Sequence, residues 1–157
     1  MKIGLASDHR GYNLKNLLKE ALNNLGYETL DCGTNSTEST DYTDYAFLLG
    51  DKVVKKEVDF GVAICGSGIG ISIACNKVKG IRCAKVDSIE DVKATRIDND
   101  ANIIAFGEKV PFEIALEWVK TFINTETSTE EKHVRRRNKI KNYEESLWWG
   151  NFFYIVQ

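Results

Sequence analysis

Short apolar runs alternate with longer segments of helical periodicity over the first 124 residues of the chain. Five strands are predicted from the apolar runs at residues 2–6, 27–31, 60–65, 82–86 and 101–106. The runs at 60–65 and 101–106 are continuous, as expected of strands that are buried on both faces of a sheet. A helical segment follows each strand. The pattern therefore predicts an α/β fold with a doubly wound, five-stranded parallel sheet and helices on both faces.

Capping residues and apolar spacing predict where the helices lie. Gly26 ends the first helix, Asp41 is a candidate N-cap of the second, and Pro111 suits the first turn of the fifth. The middle helices are predicted at about residues 42–53, 70–77 and 88–98. The first helix has a face of apolar residues, Leu14, Leu17, Leu18, Ala21, Leu22 and Leu25. The corresponding face of the fifth helix consists of Ala115, Trp118, Val119, Phe122 and Ile123.

Residues 125–157 differ in character from this core of about residues 1–124. Thr129, Glu130 and Glu131 can start a helix, residues 132–141 are strongly basic, and an aromatic tail (LWWGNFFYIV) occupies residues 147–156. A five-stranded core does not need this segment. It is expected to pack either on a second subunit or as a helix on its own domain. The whole chain, residues 1–157, is expected to form a single domain.

Composition and charge exclude several classes of protein. The chain of 157 residues is 43% hydrophobic and 28% charged, which is typical of a globular domain and not of a disordered or fibrous protein. A net charge of −2 gives no general attraction to nucleic acid or to an anionic membrane. No uninterrupted apolar stretch nears the roughly 18 residues of a membrane span, and the N-terminus lacks the features of a signal peptide. Four cysteines without CxxC spacing indicate reduced thiols rather than a zinc site. We therefore expect a cytoplasmic protein with no nucleic-acid or membrane partner.

The strand predicted at residues 60–65 leads into a glycine-rich turn with the sequence CGSGIGIS. Glycines allow the backbone to approach a ligand closely, and the amides at the start of a helix favour an anion or developing negative charge. A dinucleotide-binding turn would have GxGxxG spacing after the first strand, whereas this turn has GxGxG after the third. Three alternatives follow: a site for an anionic group, a nucleotide-binding turn, and a tight turn without a ligand.

Cys65 begins this turn. A thiol near a helix N-terminus is stabilised as a thiolate, which can act as a base or a nucleophile. The alternative is a buried core cysteine, and this is the interpretation for Cys32, Cys75 and Cys83.

Two further groups of polar residues are candidates for substrate binding. Asp8 and His9 follow the first strand, so they are expected at the same sheet edge as the glycine turn. Lys132 and Arg136 share one face of the predicted C-terminal helix, where they can hold a phosphate together or belong to a solvated basic face.

Five stretches of the sequence extend over about residues 1–140: IGLASDHRGYNLK, DCGTNS with TDYTDYA, DFGVAICGSGIGISIACNKVKGIRCA, NDANIIAFGEKV and HVRRRNKI. Together they resemble the ribose-5-phosphate isomerase B family, which includes the subunits of galactose-6-phosphate isomerase. The resemblance implies a Rossmann-like fold and aldose–ketose isomerisation of a small-molecule sugar phosphate. It also implies a homodimer or dimer of dimers whose active site is shared between two subunits and needs no metal or other cofactor.

The same resemblance implies a role for each matching residue. Cys65 would be the base that moves a proton between C1 and C2 of the sugar. Ser67, which is Thr in many relatives, would hold the enediolate together with the turn that contains Gly66, Gly68, Ile69 and Gly70. Residues on the chain's own side of the site would be Asp8, His9 and Tyr42, with Asn99 reaching the substrate from the partner subunit. Positive charge would come from Lys109, Lys132 and Arg136, of which the two lysines stand where arginine is usual.

Asp98 departs from the family pattern. Many members have His-Asn-Asp where this chain has Asp98-Asn99-Asp100, and that His is the acid/base that opens the furanose ring. A carboxylate is normally ionised at neutral pH and donates a proton poorly, unless burial changes its ionisation. The candidates for ring opening are therefore a buried Asp98, His9 and His133.

The leading prediction is the conversion of ribose 5-phosphate to ribulose 5-phosphate by Cys-mediated proton transfer through an enediolate. Two alternatives stay open: a hexose-6-phosphate isomerase of the galactose or allose type, and a non-catalytic subunit of a hetero-oligomeric isomerase.

Overall fold

One parallel sheet forms the centre of the molecule. A computed structural model describes residues 1–148 of the chain. The strands lie in the order β2-β1-β3-β5-β4, with the bounds β1 Lys2–Ser7, β2 Glu28–Asp31, β3 Phe60–Cys65, β4 Cys83–Lys85 and β5 Ile103–Gly107. All four strand pairings are parallel. The predicted Rossmann-like, doubly wound α/β fold is confirmed.

Helices cover both faces of this sheet. Their bounds are α1 Tyr12–Asn24, α2 Tyr42–Val54, α3 Ile69–Cys75, α4 Ile89–Ile97, α5 Phe112–Asn124 and α6 Glu131–Trp148. Side chains of α1, α4 and α5 pack on one face, against residues such as Leu5, Ile64 and Phe106. Side chains of α2 and α3 pack on the other face, against Ala63 and Ala105. Successive residues of a strand point to opposite faces, so each central strand contributes to both clusters.

Most predicted elements are confirmed, and the differences lie at their ends. β3 matches the prediction, and β5 starts two residues later than predicted. Before the strand begins, Asn102 Oδ1 accepts from the Arg82 amide and Asn102 Nδ2 donates to the Gly80 carbonyl. Pro111 occupies the N-cap position of α5 and not its first turn. Asp41 is at the N-cap of α2, but its side chain makes no capping hydrogen bond.

The predicted first helix is confirmed, but two leucines of its apolar pattern do not face the core. Leu17 and Leu25 are 49% and 52% exposed, whereas Leu14, Leu18 and Leu22 are buried. Lys15 is fully buried, because its Nζ donates to Asp31 Oδ1 at 2.5 Å and to the Thr34 carbonyl at 2.8 Å. Burial raises the pKa of Asp31, but hydrogen bonds from Lys15 and Lys19 outweigh it and hold that pKa below its ordinary value.

The C-terminal helix α6 packs on its own domain. Arg137 donates to the carbonyls of Asp98 (3.1 Å) and Ser128 (2.8 Å), and Glu144 accepts from the Gly80 amide at 2.9 Å. These contacts place α6 against its own domain, as in one of the two predicted placements. The tail from Trp149 onward, with Phe152, Phe153 and Tyr154, lies outside the described residues. Within residues 1–148, no helix is long and apolar enough to cross a membrane.

Candidate active site

A crevice opens where the connections of the sheet change direction. From β1 the chain moves outward to β2, and it then returns to place β3 on the other side of β1. Ligands of doubly wound sheets bind at such a point, outside the carboxyl ends of the strands. Here that position is an open cleft of about 360 Å³ lined by Asp8, Arg10, Tyr42, Cys65, Gly66, Ser67, Gly70 and Lys109.

The glycine turn forms the floor of this cleft, and its three glycines pack closely against their neighbours. A Cβ on Gly66 would lie 2.6 Å from Arg10 Nη1, and one on Gly70 would lie 2.7 Å from the Tyr42 ring. A Cβ on Gly68 would lie 2.7 Å from the backbone of Phe106, and its φ of +80° is in the left-handed region. The GxGxG spacing is therefore explained by close contacts with two side chains and one neighbouring strand.

Cys65 is buried at the edge of the cleft. Its Sγ accepts a hydrogen bond from the Gly68 amide at 3.1 Å, and its carbonyl accepts one from the Glu108 amide at 2.9 Å. The helix α3 begins at Ile69. The group that contacts the thiol, the Gly68 amide, therefore belongs to the turn before the helix. This hydrogen bond holds Sγ in place beside the glycine turn.

The other cysteines are separate from the cleft. Cys32 and Cys75 are buried in the core, and Cys83 is half-buried against the same cluster, in agreement with their interpretation as core residues. Burial, followed by the charge of Asp31, raises the pKa of Cys32 to about 11.

Ser67, Asp8 and His9 present hydrogen-bonding groups at this sheet edge. Ser67 Oγ accepts from the Ile69 amide at 3.1 Å, which leaves its hydroxyl hydrogen to donate to a ligand. Asp8 Oδ1 accepts from the amides of residues 10 and 11 at 3.0 and 3.1 Å, which fixes the carboxylate at the end of β1. His9 Nδ1 accepts from the Thr40 amide at 3.2 Å, so in the neutral ring the proton is on Nε2.

Asp98 and Asn99 lie at the opposite edge of the same protomer. They precede β5, whose last residue, Gly107, pairs with Cys65. At about 3.3 Å per residue, the two ends of this five-residue strand are roughly 13 Å apart. The structure therefore does not bring Asp98 or Asn99 to the Cys65 cleft of its own chain.

Lys132 and Arg136, the two candidate site residues on α6, are also away from the cleft. His133 Nε2 lies 3.6 Å from Asp98 Oδ1, which places the start of α6 at the same edge as Asp98. Lys132 pairs with Glu130 at 3.2 Å, and Arg136 is exposed.

Two residues, Arg10 and its partner Glu108, were not among the candidates predicted from the sequence. Arg10 follows Asp8-His9 directly and lines the cleft. Its guanidinium pairs with Glu108, which comes 98 residues later in the chain. The adjacency of Arg10 to the Asp-His pair was the one available signal, whereas its partner depends on the pairing of β3 with β5.

A comparison with known proteins places the chain in a family. The family described as ribose/galactose isomerase matches residues 3–140. The chain belongs to the ribose/galactose isomerase family. Its relatives include YwlF of Bacillus subtilis, described as a sugar phosphate isomerase, which is 48% identical over 92% of this chain and 98% of the relative.

Solved structures of this family have the same fold. Ribose-5-phosphate isomerase B of Clostridium thermocellum superimposes with a TM-score of 0.90 at 43% identity, covering 94% of this chain and 99% of that one. Ribose-5-phosphate isomerase B of Mycoplasma genitalium, solved with bound ribulose-5-phosphate, superimposes with a TM-score of 0.85 at 35% identity over 92% and 96% of the two chains. The predicted class of enzyme, an aldose–ketose isomerase of the sugar-phosphate isomerase family, is confirmed.

Proposed function

We propose that the protein interconverts ribose 5-phosphate and ribulose 5-phosphate, with Cys65 as the base. The observation that carries this proposal is the cleft at the carboxyl ends of β1 and β3, which brings the Cys65 thiol together with the glycine turn and Asp8. The bound ribulose-5-phosphate in the Mycoplasma genitalium relative supports the choice of sugar.

Proton transfer begins at C2 of the open-chain aldose. The Cys65 thiolate takes the C2 proton, the C1–C2 bond gains double-bond character, and the carbonyl oxygen on C1 becomes the enediolate oxygen. The thiol then returns the proton to C1, while the proton on the C2 hydroxyl moves to the oxygen on C1, which leaves a ketone at C2. The Gly68 amide donates to Sγ and positions it at the cleft for this step.

The enediolate needs donors that are already in position when its charge develops. The amides of the turn at residues 66–70 and the Ser67 hydroxyl can supply them, because this turn is fixed by its close packing against Tyr42, Arg10 and the Phe106 backbone. Asp8 is assigned to accept from sugar hydroxyls, and His9 is assigned to donate through Nε2 to the sugar or its phosphate.

The remaining contacts are assigned to a second copy of the chain. Asn99 lies at the amino edge of its own sheet, and Lys132 and Arg136 lie on α6, whose first turns contact Asp98 there. We assign them to the Cys65 cleft of a second subunit, packed carboxyl edge to amino edge. Lys109 lines the cleft of its own chain and adds positive charge there. This arrangement requires a homodimer or a dimer of dimers.

The substrate is tested by assaying the purified protein with ribose 5-phosphate, allose 6-phosphate and galactose 6-phosphate. We expect the highest kcat/KM with ribose 5-phosphate. A preference for a hexose 6-phosphate would reject the proposed substrate, and activity only after addition of a second, similar chain would identify the protein as one subunit of a hetero-oligomer. The assay includes these two alternatives because Asp98 stands in the position where many relatives have His.

Replacement of Ser67 by alanine tests the oxyanion contact. Ser67→Ala is expected to lower kcat by roughly 10²–10³-fold, because a lost oxyanion donor acts on the transition state. Ser67→Thr keeps the hydroxyl and is expected to retain most activity. The measurement is steady-state kinetics, with thermal unfolding as the check on folding. An unchanged kcat with a raised KM would show that Ser67 binds the substrate without favouring the transition state.

Restoring an imidazole at position 98 tests the ring-opening step. Asp98→His is expected to raise kcat/KM for ribose 5-phosphate by about tenfold, since a positioned acid/base contributes roughly 10²–10⁴-fold and a grafted one recovers part of that. Erythrose 4-phosphate is the control substrate: its O4 is esterified, so it cannot close a furanose ring, and the substitution is not expected to accelerate its reaction. Asp98→Asn completes the set, because loss of activity would identify Asp98 itself as the proton donor. If the natural protein converts ribose 5-phosphate rapidly and neither variant changes kcat/KM, position 98 has no role in ring opening.

A further inference from the structure

We propose that Arg10 is a phosphate-binding residue of the cleft, an inference that rests on the proposed function. Arg10 lines the same cleft as Cys65 and Ser67, and its side chain is 52% exposed. Its guanidinium is held at the cleft by one carboxylate and by the surface of the glycine turn.

Glu108 anchors the guanidinium. Arg10 Nε donates to Glu108 Oε1 at 2.8 Å, and Nη2 donates to the same oxygen. The Glu108 amide in turn donates to the Cys65 carbonyl at 2.9 Å. The anchor is therefore fixed to the end of β3, where the glycine turn begins, and the guanidinium keeps its position relative to Cys65.

Gly66 provides the surface on which the guanidinium lies. A Cβ at position 66 would be 2.6 Å from Nη1 and 2.9 Å from Cζ, so the absence of a side chain there is what allows this close approach. Arg10 Nη1 has no hydrogen-bond partner among residues 1–148. Glu108 thus occupies one side of the guanidinium fork and leaves the N–H groups of Nη1 to bind a ligand.

Two cations and one carboxylate, Asp8, line the cleft, so positive charge is in excess there by one before Glu108, the partner of Arg10, is counted. Among the described residues that line the cleft, Arg10 and Lys109 are the ones with a positive charge, and Lys109 has no ion pair within residues 1–148. A sugar phosphate carries up to two negative charges, and a guanidinium offers paired donors that match phosphate oxygens. An exposed Arg–Glu pair contributes little to folding stability, so replacement of Arg10 is not expected to unfold the protein.

Phosphate binding is tested directly with inorganic phosphate, by calorimetric titration of the full-length wild type, Arg10→Gln, Arg10→Lys and Lys55→Gln. Lys55 is the matched control: it forms an exposed pair with Asp51 on α2, and its loss changes the net charge by the same amount. We expect Arg10→Gln to weaken phosphate binding by about tenfold, as for a lost charge-assisted hydrogen bond, and Lys55→Gln to change it by less than about twofold. The phosphate affinity of Arg10→Lys is expected to lie between the affinities of the wild type and Arg10→Gln. Thermal unfolding verifies that each variant is folded.

Steady-state kinetics separate this inference from the proposed function. With ribose 5-phosphate, Arg10→Gln is expected to raise KM by a factor similar to its effect on phosphate binding, with little change in kcat. Phosphate affinity within twofold of wild type in Arg10→Gln, or an equal loss in Lys55→Gln, would reject Arg10 as a phosphate ligand. If the wild type binds phosphate through Arg10 but converts no sugar phosphate, the proposed function fails and the assignment of Arg10 stands.

Discussion

Cys65→Ala is expected to abolish nearly all isomerase activity while the protein folds normally. Cys65 is the residue in the cleft placed to act as a base from within the glycine turn, and its Sγ is held by the Gly68 amide at 3.1 Å. A positioned base contributes roughly 10²–10⁴-fold, so kcat should fall by at least the middle of that range. The loss is measured in an assay of ribose 5-phosphate conversion.

A second measurement assigns this loss to proton transfer. In D₂O, the natural protein should exchange the C2 hydrogen of the sugar with solvent during turnover, and Cys65→Ala should not. Cys75→Ala is the matched control, because it removes the same thiol group from a fully buried position in the core outside the cleft. If Cys65→Ala keeps most of its activity, the base is elsewhere, and Asp8 and Asp98 become the candidates.

The elements that position Cys65 could be predicted because several local signals agree. The continuous apolar run of β3 matches its observed bounds, since a strand buried on both faces tolerates no polar residue inside it. The glycine turn follows at once and imposes backbone geometry that few other sequences allow. The apolar face of α5 is likewise confirmed, with Ala115, Val119 and Phe122 fully buried.

Contacts between residues far apart in the chain were harder to predict. Lys15 occupies a buried position on α1 because Asp31 and the Thr34 carbonyl bind its ammonium group, and no periodicity signals this. Arg10 acquires its orientation from Glu108, and His133 lies beside Asp98, 35 positions earlier in the chain. In each case the partner is set by strand order and helix packing, which hydrophobic patterns describe only in outline.

Mixed dimers are expected to regain activity that neither parent variant has. The proposed active site takes Cys65 from one subunit and Asn99, Lys132 and Arg136 from the other, since these groups lie at opposite edges of the sheet. We pair Cys65→Ala with the double variant Asn99→Ala/Arg136→Gln, co-express the two chains with different affinity tags, and purify the dimers that carry both tags. Each such dimer would contain one intact site and one site with all three substitutions.

Two-fold symmetry sets the size of the effect. An isologous dimer has two equivalent sites, so a mixed dimer with one intact site should show about half of the wild-type kcat per dimer, against nearly none for either parent. Cys65→Ala combined with Ser67→Ala is the control, because both residues lie on the same side of the site and no combination of the two chains restores it. Light scattering establishes that the purified species contains at least two chains. If the mixed dimers are no more active than their parents, or if an active monomer is found, the site is complete within one chain, and Asn99 and Arg136 do not reach the substrate from a partner.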